Sequence, residues 1–197
     1  MARNKKKAKR EKATVAFIDE SGILMAPLVR RTWAPRRQTP ILYQRTRSHK
    51  KISAIAALCS RINGRRVKLY FRFYENANFN TELCIAFIEQ LKKNIHGRFF
   101  IVWDGLHAHR SKKMKQYLSK ERQLKKRFRL FHFPPYAPEL NPIEYAWGHL
   151  KMNALANDAS YELHELNRKA KNGICEIRRE RKLLRSFIKH SGIPFFN

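Results

Sequence analysis

The sequence predicts an α/β domain in which helices cover the faces of a mixed β-sheet. Two short apolar runs are rich in strand-forming residues. The run at 14–19 ends in Asp19, and the run at 99–103 is followed by Asp104. Two further strand-like segments, at 51–58 and 67–74, flank an Asn-Gly pair, which favours an antiparallel hairpin. Segments with helical periodicity separate the later strands, as is typical of parallel strands joined by helical crossovers.

The first half of the chain is predicted to contain three strands. TVAFID at 14–19 has the continuous apolar pattern of a strand buried on both faces, and Gly22 is a turn signal after it. Residues 23–44 carry three prolines and predict a hairpin-like excursion outside the sheet. The strands at 51–58 and 67–74 are then joined through Asn63-Gly64.

The second half of the chain alternates between helices and strands. Asn80 is a suitable N-cap for a helix that carries apolar residues at helical spacing and ends near Gly97. A strand at 99–103, a basic helix at 110–127 and a strand at 128–133 follow. Asn141-Pro142 predicts the start of the next helix, and the composition of 161–190 is helical and basic. We therefore divide the chain into a basic disordered arm at 1–13, an α/β domain at 14–160 and a basic helical C-terminal extension at 161–197.

The charge of the chain indicates a polyanionic partner. The sequence has 43 Lys and Arg against 15 Asp and Glu, a formal net charge of +28. Residues 25–74 hold thirteen Lys or Arg and no acidic residue, and the first thirteen residues hold seven basic residues and one acid. Nucleic acid is the partner that such a balance favours.

Other compositional features exclude some classes of protein. No apolar run approaches the roughly 20 residues needed to span a bilayer, and no secretory signal or amphipathic anchor is evident, so no membrane partner is expected. Three scattered cysteines favour reduced thiols over a disulfide framework or a zinc site. We expect a cytoplasmic, nucleoid-associated protein.

Acidic residues are rare, and their positions suggest a metal site. Asp19 and Asp104 both follow apolar strands, and strand ends of such sheets form ligand-binding crevices. Two neighbouring carboxylates repel each other unless a proton or a cation such as Mg²⁺ relieves the repulsion. Glu144, in the first turn of a predicted helix, is the candidate third ligand. Two alternatives remain open: each aspartate caps a turn or pairs with an arginine, and Asn141 with Glu144 forms a capping box.

Three segments resemble motifs of one enzyme superfamily. PPYAPELNPIEYAWGHLK at 134–151 resembles the signature around the third acid of the mariner-like DDE transposases. WDGLHAHRS at 103–111 resembles the second-aspartate segment of that superfamily, and FIDESG at 17–22 resembles the first. RRTWAP at 30–35 resembles the bacterial insertion-sequence branch of the Tc/mariner-like group.

The resemblance implies a fold, an activity and a set of site residues. The fold is RNase H-like, and Asp19, Asp104 and Glu144 are both catalytic residues and ligands of Mg²⁺ or Mn²⁺, with two ions expected. The implied reactions are phosphodiester hydrolysis at transposon ends and attack of a 3′-OH on target DNA, commonly at TA, by a homodimer. Residues of two of these motifs, and residues next to them, are expected to contact DNA. They are His109 and Arg110 of the second motif, Lys112 and Lys113 just after it, and Tyr136 of the proline-rich motif.

The chain departs from the superfamily in two places. Thirty-nine residues separate Asp104 from Glu144, a few more than usual, and only 18 residues precede Asp19. We therefore expect a catalytic half, with three origins open. The helix-turn-helix part that recognises transposon ends is a separate N-terminal polypeptide from another reading frame, has been lost from a decayed copy, or has been cut away. Two other functions stay open: another RNase H-like nuclease such as a junction resolvase, and a non-catalytic DNA-binding remnant.

The sequence also predicts where three further side chains lie. Glu20 follows Asp19 along a strand, so alternation predicts that it points away from the site. Trp147 is one turn beyond Glu144 and is predicted to pack that helix onto the sheet. Trp33 is predicted either to stack on bases or to pack within a loop.

Overall fold

The computed structural model describes residues 13–43, 50–61, 66–104, 111–124, 128–134 and 138–193. A five-stranded mixed sheet has the order β3-β2-β1-β4-β5. Its strands are β1 (Thr14–Leu24), β2 (Lys51–Arg61), β3 (Val67–Glu75), β4 (Phe99–Trp103) and β5 (Phe128–His132). The first three strands pair antiparallel, whereas β4 runs parallel to β1 and β5 runs parallel to β4.

Five helices flank the sheet within the described residues. They are α1 (Thr81–Asn94), α2 (Lys112–Leu124), α3 (Pro142–Met152), α4 (Leu163–Arg179) and α5 (Arg181–His190), with a 3₁₀ turn at Pro138–Leu140. No helix among these residues has both the length and the apolar character needed to cross a membrane. The predicted α/β class with a mixed sheet is confirmed.

Alternation along the strands divides the core between two helix layers. On one face of the sheet, Ile52, Ala54, Ala56 and Leu58 of β2 pack with buried residues of α3, α4 and α5. On the other face, Ile55 and Ala57 pack with α1, β4 and Met114 of α2. Trp147, predicted to lie in the core, is 2 % exposed and belongs to the first layer.

The helix starts follow local capping chemistry where the sequence provides it. Asn80 Oδ1 accepts a hydrogen bond from the backbone N–H of Leu83 at 2.9 Å, which confirms the predicted cap of α1. Ser111 Oγ accepts from the N–H of Met114 at 3.1 Å at the start of α2. Gly97, at φ +83°, lies just beyond the end of α1, in the left-handed region that glycine favours.

Two predictions for residues 20–44 are wrong. Gly22 is not a turn: β1 continues through it, with Gly22 opposite Ser53 and Leu24 opposite Lys51. The backbone ladder with the full-length β2 supplies the hydrogen bonds that carry β1 past the glycine. Residues 25–43 contain no strand pair beyond a single bridge between Leu28 and Ala156, so no hairpin forms in this described part.

Trp33 lies on this irregular segment and is fully exposed, which excludes the packing alternative for this residue. The segment is attached to the domain near its start, where the N–H of Arg30 donates to Asn157 Oδ1 at 2.6 Å. The arm at 1–12 and the Asn63-Gly64 turn lie outside the described residues.

Candidate active site

The parallel pairing of β1 and β4 brings Asp19 and Asp104 to the same edge of the sheet. The last paired residues are Phe17 and Val102, and each aspartate comes two residues later along the chain, Asp19 still within β1 and Asp104 just after β4. The same register that aligns the apolar strands therefore aligns the two carboxylates. Asp19 is buried, at 8 % exposure, and Asp104 is partly buried.

Glu20 joins this pair, contrary to the sequence prediction. Asp19, Glu20 and Asp104 each offer a carboxylate oxygen within 4.8 Å of the others. The Glu20 carboxylate accepts a hydrogen bond from the Trp103 indole N–H at 3.2 Å and a weak one from Cys84 Sγ at 3.8 Å. Alternation sets the direction of Cβ, but the longer glutamate side chain still brings its oxygens to the sheet end.

Glu144 enters from the start of α3, which Asn141 attaches to β1. Asn141 is the N-cap residue, but its side chain makes no capping hydrogen bond. Instead, its Nδ2 donates to the carbonyl of Ile18, the residue before Asp19, at 3.2 Å. The alternative of a capping box is therefore excluded, because this tertiary contact turns the side chain toward β1 and its Oδ1 accepts no hydrogen bond from the described residues of α3. The contact places the first turn of α3 beside the middle of β1.

Among the described residues, burial and mutual repulsion dominate the electrostatics of the carboxylate cluster, which comprises Asp19, Glu20, Asp104 and the nearby Glu144. Burial, followed in order of effect by the charges of Glu144, Glu20 and Asp104, raises the pKa of Asp19 to about 8. Partial desolvation raises the pKa of Glu144, Lys151 opposes the shift, and Asp104 adds to it. Glu144 is exposed, so the rise in its pKa is weaker evidence for repulsion between carboxylates than the rise in the pKa of Asp19. The charge of Glu144 nevertheless interacts with both Asp19 and Asp104.

The backbone around Asp104 is held by the end of β5. The Nδ1–H of His132 donates to the carbonyl of Asp104 at 2.9 Å, and the N–H of Phe133 donates to the carbonyl of Trp103 at 3.0 Å. These contacts fix the point at which β4 ends. Sequence reasoning missed His132 and Asn141 because both act through long-range contacts, whereas the adjacent acids of FIDE were a visible signal for Glu20.

A comparison with protein families identifies the chain. Residues 14–167 match the family model described as DDE superfamily endonuclease, well over half of the chain. The chain belongs to the DDE superfamily endonuclease family. No curated protein matches it.

Solved structures of transposases share the fold of this chain. The crystal structure of the Mos1 mariner transposase catalytic domain aligns with a TM-score of 0.50 at 12% identity, covering 97% of this chain and 87% of that chain. The mariner Mos1 paired end complex with Mg aligns with a TM-score of 0.64 at 14% identity, covering 97% of this chain and 58% of that chain. The Mos1 strand transfer complex aligns with a TM-score of 0.54 at 15% identity, covering 97% of this chain and 59% of that chain.

These similarities establish the fold of this DDE superfamily endonuclease domain. The mixed sheet with helices on both faces matches the RNase H-like fold of the Mos1 catalytic domain. The chain spans about three-fifths of the length of the Mos1 proteins in the two complexes.

The predicted DNA-contacting residues are only partly described. Lys112 and Lys113 lie exposed in the first turn of α2, and Lys113 Nζ pairs with Glu82 of α1 at 2.5 Å. His109, Arg110 and Tyr136 lie outside the described residues. The basic helix predicted at 110–127 is observed at Lys112–Leu124.

Proposed function

We propose that this chain is the catalytic domain of a DNA transposase that hydrolyses phosphodiester bonds at transposon ends and joins the resulting 3′-OH end to target DNA. In the joining step the 3′-OH attacks a target phosphodiester and displaces its 3′ oxygen. The observation that carries the proposal is the close approach of Asp19 and Asp104, with Glu144 near enough for its charge to raise the pKa of Asp19. Asp19 lies within β1 just past its parallel pairing with β4, Asp104 directly follows β4, and Glu144 lies in the first turn of α3, within a DDE superfamily endonuclease fold. The net charge of +28 supports DNA as the substrate.

The donor set fits a hard divalent cation. Carboxylate oxygens are the ligands that Mg²⁺ prefers. Among the described residues, burial and acidic neighbours raise the pKa of Asp19 to about 8, and no cation is among the groups that shift it. We propose Asp19, Asp104 and Glu144 as ligands of Mg²⁺ or Mn²⁺, with two ions. When bound, the ions supply charge neutralisation and activation of the attacking oxygen during phosphodiester cleavage.

The remaining residues of the site position these ligands. Asn141 holds the start of α3 against β1, and His132 holds the carbonyl of Asp104. Trp103 orients the Glu20 carboxylate, which adds negative charge beside Asp19 without entering the proposed ligand set. Each contact limits the freedom of one ligand-bearing element, so the carboxylates are preorganised before substrate binds.

The DNA partners follow from the same proposal. We propose that the exposed Lys112 and Lys113, together with His109, Arg110 and Tyr136, contact DNA near the cluster. The Mos1 structures include a paired-end complex with the left transposon end, and by analogy we propose a homodimer acting on paired ends, with TA as target. A separate helix-turn-helix polypeptide would supply end recognition.

We further propose an origin and an organisation for the chain. The RRTWAP motif supports a bacterial insertion sequence, and hence a cytoplasmic, nucleoid-associated enzyme. In this proposal residues 14–160 form the catalytic domain and residues 161–197 a C-terminal extension, preceded by a basic arm at 1–13. Buried residues of α4 and α5 pack onto β2 and α3, so the extension helps to hold α3 against the sheet.

Nicking of supercoiled plasmid in Mn²⁺ tests the hydrolytic step, and joining of a labelled 3′-OH oligonucleotide to plasmid tests strand transfer. We expect the parent to be active in both assays. Asp19→Ala, Asp104→Ala and Glu144→Ala should each abolish nicking while DNA binding is retained or slightly stronger, since a negative charge is lost. A Glu144→Ala variant that nicks like the parent would remove Glu144 from the site. A parent that binds DNA but never nicks it would favour a non-catalytic DNA-binding protein.

A further inference from the structure

A fully exposed tryptophan lies on the irregular segment between β1 and β2. The chain has three tryptophans, of which Trp103 and Trp147 are buried and Trp33 is fully exposed. Seven of the nine large apolar side chains that are exposed among the described residues lie between Leu24 and Tyr43. Exposed apolar side chains concentrated in one place, unlike scattered ones, indicate a binding surface. Aromatic rings dominate the energetics of such surfaces, so Trp33 is the residue to explain.

The backbone on both sides of Trp33 is held by hydrogen bonds. The Asn157 N–H donates to the carbonyl of Leu28 at 3.0 Å, and the Arg30 N–H donates to Asn157 Oδ1, which attaches the start of the segment to the loop after α3. Beyond Trp33 a turn is closed by the Gln38 N–H, which donates to the carbonyl of Pro35 at 3.0 Å. The indole is therefore presented to solvent from a backbone whose conformations are limited.

Arginines surround Trp33 in the sequence. Four of them are exposed: Arg30, Arg31, Arg36 and Arg37. Arg36 and Arg37 are the central residues of the turn, and Arg37 has φ +69°, a left-handed conformation that is unfavourable for a residue other than glycine. The Cα atoms of Arg31 and Arg36 lie within about 11 Å of the Trp33 Cα, because only two and three residues separate them from it. The indole is thus flanked by positive charge on both sides.

This combination of groups fits an unpaired nucleotide. The face of an unpaired base stacks on an aromatic ring, and arginines beside the ring bind the flanking phosphates. The bases of a duplex are already stacked on one another, so a duplex offers mainly its phosphates. A second copy of the chain is the other occupant to consider, but it brings a further charge of +28 and the same four arginines, and this repulsion opposes association.

We propose that Trp33 and its flanking arginines bind unpaired nucleotides, with the indole stacked on a base and the arginines on the adjoining phosphates. The site adds a preference for unpaired DNA to the phosphate contacts described above. It rests on the proposed function only in taking DNA as the substrate, since stacking requires neither metal nor cleavage.

Tryptophan emission tests the proposal directly, because the other two indoles are buried. Acrylamide should quench the emission of the parent less after addition of an oligothymidine of about 12 nucleotides in EDTA, and a blunt duplex should protect it much less. A Trp33→Phe variant should lose this change in quenching. Unchanged quenching in the parent when fluorescence anisotropy shows that the oligothymidine is bound would overturn the proposal.

Substitutions at Trp33 separate stacking from other contacts. In anisotropy measurements, Trp33→Ala should weaken binding of oligothymidine about 5- to 150-fold and leave duplex binding unchanged. Trp33→Phe should restore most of the affinity, whereas Trp33→Leu should not, because leucine is apolar but has no aromatic face. Tyr161→Ala is the matched control. Tyr161 is an exposed aromatic residue with no Lys or Arg within six residues, so its replacement should change neither affinity.

The outcomes distinguish this proposal from the proposed function. Duplex binding with no effect of Trp33→Ala on oligothymidine would overturn the stacking site alone, and a parent that binds no DNA would overturn both. Equal losses on single strands and duplex, or full restoration by leucine, would also overturn stacking on a base. Protection of Trp33 that grows with protein concentration in the absence of DNA would assign the indole to a second copy of the chain instead. Because Trp33 is fully exposed, circular dichroism of its variants should match that of the parent.

Discussion

Replacement of Asp19 by asparagine should stabilise the metal-free protein at neutral pH. The carboxyl is buried, and burial together with Glu144, Glu20 and Asp104 raises its pKa from 3.8 to about 8. Between these two values the folded protein keeps a proton that the unfolded chain has released. The free energy of unfolding therefore falls as pH rises through this window, since the folded state binds more protons there.

The two pKa values set the size of the effect. Each tenfold change in proton affinity corresponds to about 1.4 kcal/mol, so Asp19 should cost the parent about 2.6 kcal/mol in stability between pH 5 and pH 7. For a chain of this length each kcal/mol shifts the Tm by about 2–4 °C, so the loss is about 5–10 °C. Asparagine has no charge to desolvate, and the Asp19→Asn variant should be more stable than the parent at pH 7 by up to about 4 kcal/mol.

Differential scanning calorimetry in EDTA across this pH range measures the effect. The difference in Tm between the parent and the Asp19→Asn variant is the quantity to follow, because every other titrating group is common to both proteins. The two curves should diverge steadily from pH 5 to pH 7. Parallel curves, or a variant that melts earlier at pH 7, would refute the reasoning, since Asp19 would then be ionised and satisfied in the folded protein.

Three further predictions concern the metal, one helix contact and the attachment of α3. Millimolar Mg²⁺ or Mn²⁺ should raise the Tm of the parent but not that of an Asp19→Asn/Asp104→Asn variant, because the cation binds only the folded carboxylate cluster. An equal rise in Tm in both proteins would place the metal elsewhere. In urea unfolding, Gly173→Ala should cost about 1–3 kcal/mol, since an added methyl would lie 2.6 Å from a neighbouring alanine Cβ. Gly148→Ala, which faces open space, should cost nothing, and similar losses for both would refute the packing argument. Asn141→Ala should lose about 1–3 kcal/mol and slow nicking by displacing α3; unchanged nicking would deny its positioning role.

The sheet and most helices could be predicted because local pattern and tertiary packing agree in them. Apolar runs such as FFIVW at 99–103 have no stable location other than the core. Asn80 caps α1 by accepting a hydrogen bond from the N–H of Leu83, only three residues later in the sequence. The parallel orientation of β1 and β4 brings Asp19 and Asp104 together just past their last paired residues. The approach of these two aspartates could therefore be predicted from the order of the strands.

The errors occur where a long-range contact overrides a local preference. Gly22 favours a turn, but pairing with β2 keeps it in the strand. Asn141 and Glu144 match a capping box, but the Asn141 amide donates to β1 instead. Glu20 was assigned to the wrong side because alternation does not predict where the end of a long side chain lies, and the Trp103 indole that binds it is 83 residues away. None of these partners is adjacent in sequence.

The proposed metal site consists of Asp19, Asp104 and Glu144, which together would hold divalent cations. Crystals of the protein soaked in Mn²⁺, with data collected at a wavelength where manganese scatters anomalously, test it most directly. We expect anomalous peaks in contact with carboxylate oxygens of Asp19 and Asp104, with Glu144 completing the ligand set, and no such peaks in the Asp19→Asn/Asp104→Asn variant. A site that stays empty at millimolar Mn²⁺ in the parent, or manganese bound only at other carboxylates, would contradict the claim.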